Sequence, residues 1–208
     1  MEKEPRIKII GGAPQEVKKN IQKEYYNLLF GDELLSSLSE KAREEIKKLE
    51  YPKSEEEQKL IEFANKKTNV LMEEAGVFPF DAPLTAFHIL PEDLHKKVTR
   101  KETAACYAQI DRAILLNARY ARQSLIFFAE LSFHELLHLK EISVLEAQKI
   151  PDEENFWVTE FRGGLKINSS QKVKTAGKKH THFKGLNEAI VASQEKKYIK
   201  EALNREIG

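Results

Sequence analysis

The chain has 208 residues, 41% of them hydrophobic and 32% charged, a composition typical of a soluble globular protein rather than a disordered or membrane-embedded one. Its 34 basic and 33 acidic side chains leave a net charge of +1, so no overall field directs the chain toward nucleic acid or an anionic membrane. The single cysteine, Cys106, excludes an internal disulfide and a cysteine-rich zinc motif, and the lack of a signal-peptide or membrane-length apolar segment leads us to expect a cytoplasmic protein.

Three helices are predicted in the first third of the chain. Apolar residues recur at helical spacing over residues 15–30. Asp32 is a candidate cap for a second helix, which Pro52 ends. Ser54 and Glu57 form the capping-box pattern that begins a third helix. The charge-rich faces of these helices are most simply explained as solvated surface.

Short strands and one long helix are predicted in the middle of the chain. The strands cover residues 84–90, 104–109 and 113–117, which are bounded by Pro and turn-forming residues. The helix is expected over residues 123–148, because this stretch contains no Gly or Pro and is apolar on most sides. A helix with this pattern in a soluble protein is a buried helix.

The last third of the chain predicts a hairpin followed by a helix. Its strands are residues 156–162 and 165–168, which flank Gly163 and Gly164. A Lys-rich loop is expected over residues 171–179 and a final helix over residues 184–205. The whole pattern predicts an α+β fold.

The long apolar helix contains the sequence His134-Glu135-Leu136-Leu137-His138. Residues i and i+4 lie one turn apart on one helix face, so His134 and His138 can reach the same metal ion. Glu135 can reach a water molecule on that ion without being a ligand itself. The pattern therefore predicts a metal site in which Glu135 is the catalytic base.

Zinc is the expected metal, because it prefers nitrogen and oxygen ligands and its catalytic sites combine three protein ligands with one water. The alternative is a buried polar cluster without metal. Two histidines and a glutamate buried without partners would cost several kcal/mol, and a bound cation removes that cost.

The third ligand is less directly encoded than the two histidines. The spacing typical of metzincins is absent, since Glu141 and Val144 stand where that pattern has glycine and histidine. Glu188 opens the final helix among apolar neighbours, where a carboxylate needs a partner; alternatively, it only complements the helix dipole. The other candidates are carboxylates between the motif and that helix: Glu160, Asp152 and Glu153.

Taken together, the His134–His138 motif and Asn187-Glu188-Ala189-Ile190 resemble the gluzincin metallopeptidases, the thermolysin-like branch of the zincins. The resemblance implies zinc bound by His134, His138 and Glu188, with Glu135 as general base and then general acid. It also implies a zincin-like core built from a small mixed sheet, an active-site helix and a glutamate helix. We interpret residues 1–52 as an N-terminal helical extension and residues 53–208 as the zincin-like domain.

Two positions depart from the gluzincin pattern. The family often has an acidic residue four positions after the glutamate ligand, where it supports the first histidine, but this chain has Ala192. Glu130 and Asn187 are the candidates for that support instead. Lys140 stands where the wider zincin pattern prefers an apolar residue.

The residue that stabilises the transition state is also not encoded by the motif. Larger gluzincins supply it from a later subdomain, and here it must come from elsewhere. Four residues have suitable side chains: His180, His182, Tyr120 and Arg162. The simpler interpretation of His180 and His182 is a solvated basic loop. His88 and His95 belong to no motif and are expected to be structural or exposed.

The expected activity is that of a zinc-dependent endopeptidase acting on a peptide or protein substrate. An extended substrate is expected to pair with an exposed edge strand at residues 113–117. The alternatives are an inactive or self-inhibited zincin-fold binding protein, and a regulatory protease that cleaves one repressor. A helical scaffold without metal is a further alternative. The oligomeric state stays open.

Overall fold

A computed structural model describes residues 7–30, 35, 38–108, 111–141, 143–150, 156–163, 166–170, 179–182 and 184–206. The helices among these residues are α1 (Gln15–Phe30), α2 (Glu40–Leu49), α3 (Glu55–Glu74), α4 (Glu92–Thr99), α5 (Ala118–Ala121), α6 (Leu125–Lys140) and α7 (Lys184–Glu206). The strands are β1 (Ile7–Ile10), β2 (Phe87–Leu90), β3 (Ala105–Ala108), β4 (Ala113–Asn117), β5 (Ser143–Lys149), β6 (Phe156–Gly163), β7 (Lys166–Ser170) and β8 (Lys179–His182). This mixture of helices and sheets confirms the predicted α+β class.

A three-stranded sheet in the order β2-β4-β3 lies against α6. β2 runs parallel to β4 and β3 runs antiparallel to it. The prediction that residues 113–117 form an exposed edge is therefore wrong, because β4 is the central strand and is buried along its whole length. Its run of apolar residues is typical of a strand covered on both faces. The edge next to α6 is β3.

The helix predicted over residues 123–148 is shorter than expected. It begins after the Ser124 cap, ends at Lys140, and is followed by strand β5. Ser143, Leu145 and Ala147 are buried, whereas the residues between them are partly exposed. This alternation has the period of a strand facing a core on one side, and it replaces the helical pattern after Lys140.

The strand β5 belongs to a five-stranded sheet in the order β1-β5-β6-β7-β8. β1, which the sequence pattern did not predict, runs parallel to β5, and the remaining pairs are antiparallel. β6 and β7 form the predicted hairpin, whose Gly164 lies outside the described residues. Residues 179–182 were expected partly in a loop but form β8, while residues 171–178 lie outside the description.

Helix α2 packs directly on residues beyond the predicted boundary at residue 52. α2 begins at Glu40 with Ser39 as its cap, rather than at Asp32, which lies outside the described residues. Ile46 of α2 joins a second core cluster with Leu94 and Leu115. The boundary at residue 52 between extension and main domain stays a prediction, but packing and the β1–β5 pairing both cross it.

The main core lies between α6, α3, α7 and the three-stranded sheet. Phe128, Phe133 and Leu136 of α6 are almost completely buried there, and Phe133 stacks on Tyr198 of α7 with ring centroids 4.0 Å apart. Burial of each such side chain contributes roughly 1.5–3 kcal/mol. α3 begins with the predicted capping box of Ser54 and Glu57. No described helix is both long and apolar enough to cross a lipid bilayer.

Candidate metal centre

Helix α6 places the two motif histidines side by side. Ser124 accepts a hydrogen bond from the backbone of Phe127 at 3.1 Å and so fixes the start of the helix. The regular turns of α6 place Nε2 of His134 3.3 Å from Nε2 of His138. Two nitrogens bound to one tetrahedral zinc ion at 2.0–2.1 Å are about 3.3 Å apart, so this separation suits a shared ion.

Helix α7 brings Glu188 to the same point. Its Oε2 atom lies 3.5 Å from Nε2 of His134 and 3.3 Å from Nε2 of His138. Within the described part of the chain, these three residues are the group of potential metal ligands that meets at one place. The rival ligands cannot be compared directly, because Asp152, Glu153 and the Glu160 side chain lie outside the description.

The donor set fits a divalent cation that accepts nitrogen and oxygen ligands. Two imidazole nitrogens and one carboxylate oxygen converge, which matches the three-ligand pattern of catalytic zinc sites. The carboxylate of Glu188 is 44% exposed, compared with 25% for His134 and 15% for His138. Among the described residues, the cluster is therefore more exposed to solvent on the Glu188 side than on the histidine side.

A carboxylate on α7 supports His134 from behind. Oε2 of Glu195 lies 2.7 Å from Nδ1 of His134. This contact provides the support that Ala192 cannot give, and Glu195 is a residue that the sequence analysis missed. Glu130, one of the candidates for this support, forms a hydrogen bond with Glu195 and can therefore support His134 through that carboxylate. Burial, followed by this hydrogen bond, raises the pKa of Glu130.

His138 is supported by a chain of two polar residues. Its Nδ1 atom lies 3.2 Å from Oε1 of Glu141, and the Asn187 side chain donates a hydrogen bond to the same oxygen at 2.6 Å. Asn187 thus contributes through Glu141, which the sequence analysis considered only as a departure from metzincin spacing. A carboxylate at each Nδ1 favours a proton there and leaves each Nε2 lone pair directed at the cluster.

The charges around the rings shift their titration. Burial alone lowers the pKa of His134 and of His138, but the neighbouring carboxylates outweigh it, and the pKa of each ring lies above its usual value. The hydrogen bond to Glu195 is the largest raising effect for His134, and the one to Glu141 is the largest for His138. Protons therefore compete with a cation for these nitrogens as the pH falls.

Glu135 is partly buried beside the cluster, on the side of strand β3. Burial raises the pKa of its carboxyl group, whereas His138, His134 and a hydrogen bond from the backbone of Tyr107 lower it, with a net upward shift. A carboxylate whose pKa is raised is a stronger base than that of an exposed glutamate. This is the property required of the base proposed from the motif.

The remaining candidates fall into two groups. Tyr120 lines a separate charged pocket next to Lys96 and Glu102, away from the described ligand residues. The side chains of His180, His182 and Arg162 lie outside the description, so their predicted role stays a prediction.

His88 and His95, the histidines that belong to no motif, have structural positions, as expected. Nδ1 of His88 lies 3.0 Å from a Glu50 oxygen, and Nε2 of His95 lies 3.3 Å from the Leu115 carbonyl. Lys140, the departure from the zincin pattern, is 3% exposed and donates a hydrogen bond to Asn69 at 2.7 Å, which ties α6 to α3.

The sequence matches no protein-family model, and comparison with curated proteins and with solved structures finds no significant similarity. The resemblance to gluzincins therefore depends on the motif residues and on the order of the elements that carry them. The geometry of His134, His138 and Glu188 adds an independent chemical basis, because these side chains form a site suited to a divalent cation whatever the ancestry of the chain.

Proposed function

We propose that this protein is a zinc-dependent endopeptidase of the gluzincin type. In this proposal His134, His138 and Glu188 hold the metal, and α6, α7 and the three-stranded sheet form a zincin-like core. The observation that carries it is the convergence of three ligand atoms at 3.3–3.5 Å from one another, with a carboxylate behind each imidazole.

When bound, zinc lowers the pKa of its water to about 7 and polarises the carbonyl group of the scissile bond. With the metal held by His134, His138 and Glu188, Glu135 would accept the proton that this water gives up and would pass it to the leaving amine. Its burial beside the ligands supports this role, because burial raises the pKa of the Glu135 carboxyl group and so strengthens it as a base compared with an exposed glutamate.

The strand β3 is the best candidate for binding the substrate backbone. It is an edge strand of the three-stranded sheet and lies against α6. An extended peptide can add to such an edge through backbone hydrogen bonds, with alternate side chains entering neighbouring pockets. The backbone contact between Tyr107 and Glu135 means that a peptide on this edge lies next to the base.

The central test combines metal analysis with one conservative substitution. Glu135→Gln should retain a full equivalent of zinc but lose activity on a peptide library by at least roughly 100-fold, because loss of general base catalysis typically costs 10²–10⁴. His138→Ala should lose the metal. The control is Glu44→Gln, an exposed glutamate of α2 that should behave like the wild type.

The outcomes separate the alternatives. Chelator-sensitive hydrolysis of general peptides supports the proposal, whereas hydrolysis of a single protein alone indicates a regulatory protease. If protein with a full equivalent of zinc hydrolyses no substrate, the proposed peptidase activity is contradicted. The alternative of a metal-loaded binding protein is then favoured. Equal rates for Glu135→Gln and wild type contradict the role of the glutamate.

A further inference from the structure

The Arg112 side chain is the largest in the described core, and it has an unusual position. It immediately precedes β4 and has a φ of 55°, in the left-handed region that non-glycine residues seldom adopt. Only 1% of its surface is exposed. A buried guanidinium persists only when its surroundings provide specific partners, so the contacts of this residue indicate what it holds in place.

The guanidinium bridges two elements. Its Nη2 atom donates a hydrogen bond of 2.9 Å to the carbonyl of Leu139, in the last turn of α6. Carbonyl groups there lack helical partners, and a cation near a helix C-terminus is favourable. Its Nη1 atom donates to the hydroxyl group of Tyr107 in β3, whose ring centroid lies 5.4 Å from the guanidinium carbon.

Both ends of this bridge adjoin the proposed active site. Leu139 directly follows the ligand His138. Tyr107 belongs to the edge strand beside the cleft, and its backbone N–H donates to the Glu135 carboxylate. The separation between β3 and α6 therefore sets how far a peptide paired with β3 lies from Glu135 and from the metal ligands.

We propose that Arg112 is a positioning residue for peptide hydrolysis, holding the edge strand and the active-site helix at their working separation. This proposal rests on the proposed peptidase function. Arg112 has no contact with substrate in this arrangement and acts through Tyr107 and the end of α6. Its loss should leave peptide binding along β3 nearly intact and misplace the bound peptide relative to Glu135.

The test compares Arg112→Met and Arg112→Lys with the wild type. A displacement of about 1 Å can cost roughly 100-fold in rate, so kcat of Arg112→Met should fall by about 10- to 100-fold while KM changes by less than about threefold. Arg112→Lys should recover part of kcat, because a lysine can donate to one of the two oxygens. Arg119→Met, which removes an exposed arginine that pairs with Glu92, is the matched control.

Amide hydrogen exchange gives a readout that does not need activity. In wild-type protein the hydrogen bond to Glu135 should protect the Tyr107 amide from exchange with solvent. Arg112→Met should accelerate that exchange. Tyr107→Phe removes only the hydroxyl group and should produce the same acceleration and a smaller loss of kcat. It decides the question if Arg112→Met does not fold.

The proposal is overturned if folded, zinc-loaded Arg112→Met or Tyr107→Phe keeps both the wild-type kcat and the wild-type exchange rate of the Tyr107 amide. A KM increase with unchanged kcat also overturns it. If the wild type hydrolyses no peptide but the variants still show faster exchange of the Tyr107 amide, the proposed function is contradicted instead. In that case the contact between β3 and α6 is still supported.

Discussion

At the scale of single residues, Glu195 shows how helix α7 supports His134 in addition to presenting Glu188. It follows Glu188 by seven positions on α7, and residues two helical turns apart lie on the same face. One face of α7 thus presents a potential ligand and, further along, a partner for His134. Ala192, where the gluzincin pattern often has an acidic residue, lies on the same helix between Glu188 and Glu195.

Glu195→Gln should weaken zinc binding by roughly 10- to 100-fold, the usual effect of losing a partner that orients a ligating histidine. The affinity can be measured by competition with a chromophoric chelator. Glu201→Gln, on the same helix but 52% exposed, is the control and should leave the affinity unchanged. An unaltered zinc affinity in Glu195→Gln would show that His134 needs no carboxylate behind it.

The sequence singled out His134, His138 and Glu188, the three residues that the structure brings together, and their role as metal ligands stays a prediction. His134, Glu135 and His138 follow from the i, i+4 rule, and Glu188 follows from a carboxylate among apolar neighbours. Glu141 and Glu195 resemble the many surface acids of this chain, and only the fold shows that they face the rings. Glu141 follows His138 by three positions and Glu195 follows Glu188 by seven, spacings that are compatible with a shared helix face but that many exposed acids also have.

At the scale of elements, the clearest error concerns the end of α6. A helix and a buried strand are both apolar, and a run of apolar residues without Gly or Pro does not distinguish them. The alternating burial after Lys140 is seen only in the structure, because Ser143 is buried while the apolar Val144 is partly exposed, and the partner strand β1 lies at the other end of the chain. Pairing between such distant segments leaves no local trace in the sequence.

The pairing of β1 with β5 depends on a glycine at its end. Gly11 has a φ of 96°, and a Cβ atom there would lie 2.4 Å from the Ala147 carbonyl oxygen. Gly11→Ala should therefore lower the free energy of unfolding by about 1–3 kcal/mol, the usual cost of a strained backbone. Urea unfolding followed by circular dichroism measures this change.

Gly12 is the matched control for that experiment. A Cβ atom at Gly12 meets no other atom within 4 Å, so Gly12→Ala should change the free energy of unfolding by less than about 0.5 kcal/mol. Equal effects at the two positions would mean that β1 does not approach β5 as described.

At the scale of the whole molecule, acid should weaken the fold through a buried histidine. His95 is fully buried in α4, and burial lowers its pKa below the ordinary value of 6.5. The folded state therefore keeps the ring neutral, while the unfolded chain binds a proton near pH 6.5. The contribution to stability is complete above that pH and is lost as the pH falls, with a slope of at most about 1.4 kcal/mol per pH unit.

The measurement is the free energy of unfolding in urea between pH 5 and pH 8 for wild type and for His95→Gln, with a chelator present. The wild-type curve should fall more steeply below pH 6.5 than the variant curve. His134 and His138 have raised pKa values and act in the opposite direction, but they are common to both proteins and cancel in the difference. Parallel curves would contradict the assignment to His95.

The strand order within each of the two sheets could not be predicted from the sequence for a related reason. The local patterns predicted most helices and the hairpin of β6 and β7, but not α4 or the position of β4 between β2 and β3. A strand's place in a sheet depends on which partner arrives on each side, and that is decided by packing across the whole chain.

The groups around the candidate metal centre come from α6 and α7 and from Glu141 at the end of α6, and these helices are separated in sequence by strands β5 to β8. An ion shared by His138 and Glu188 would act as a reversible cross-link between the two ends of that intervening segment. Withdrawing the ion would remove this cross-link and restore conformational freedom to a large part of the second sheet. The cation would then contribute to the stability of the fold as well as to the chemistry of the site.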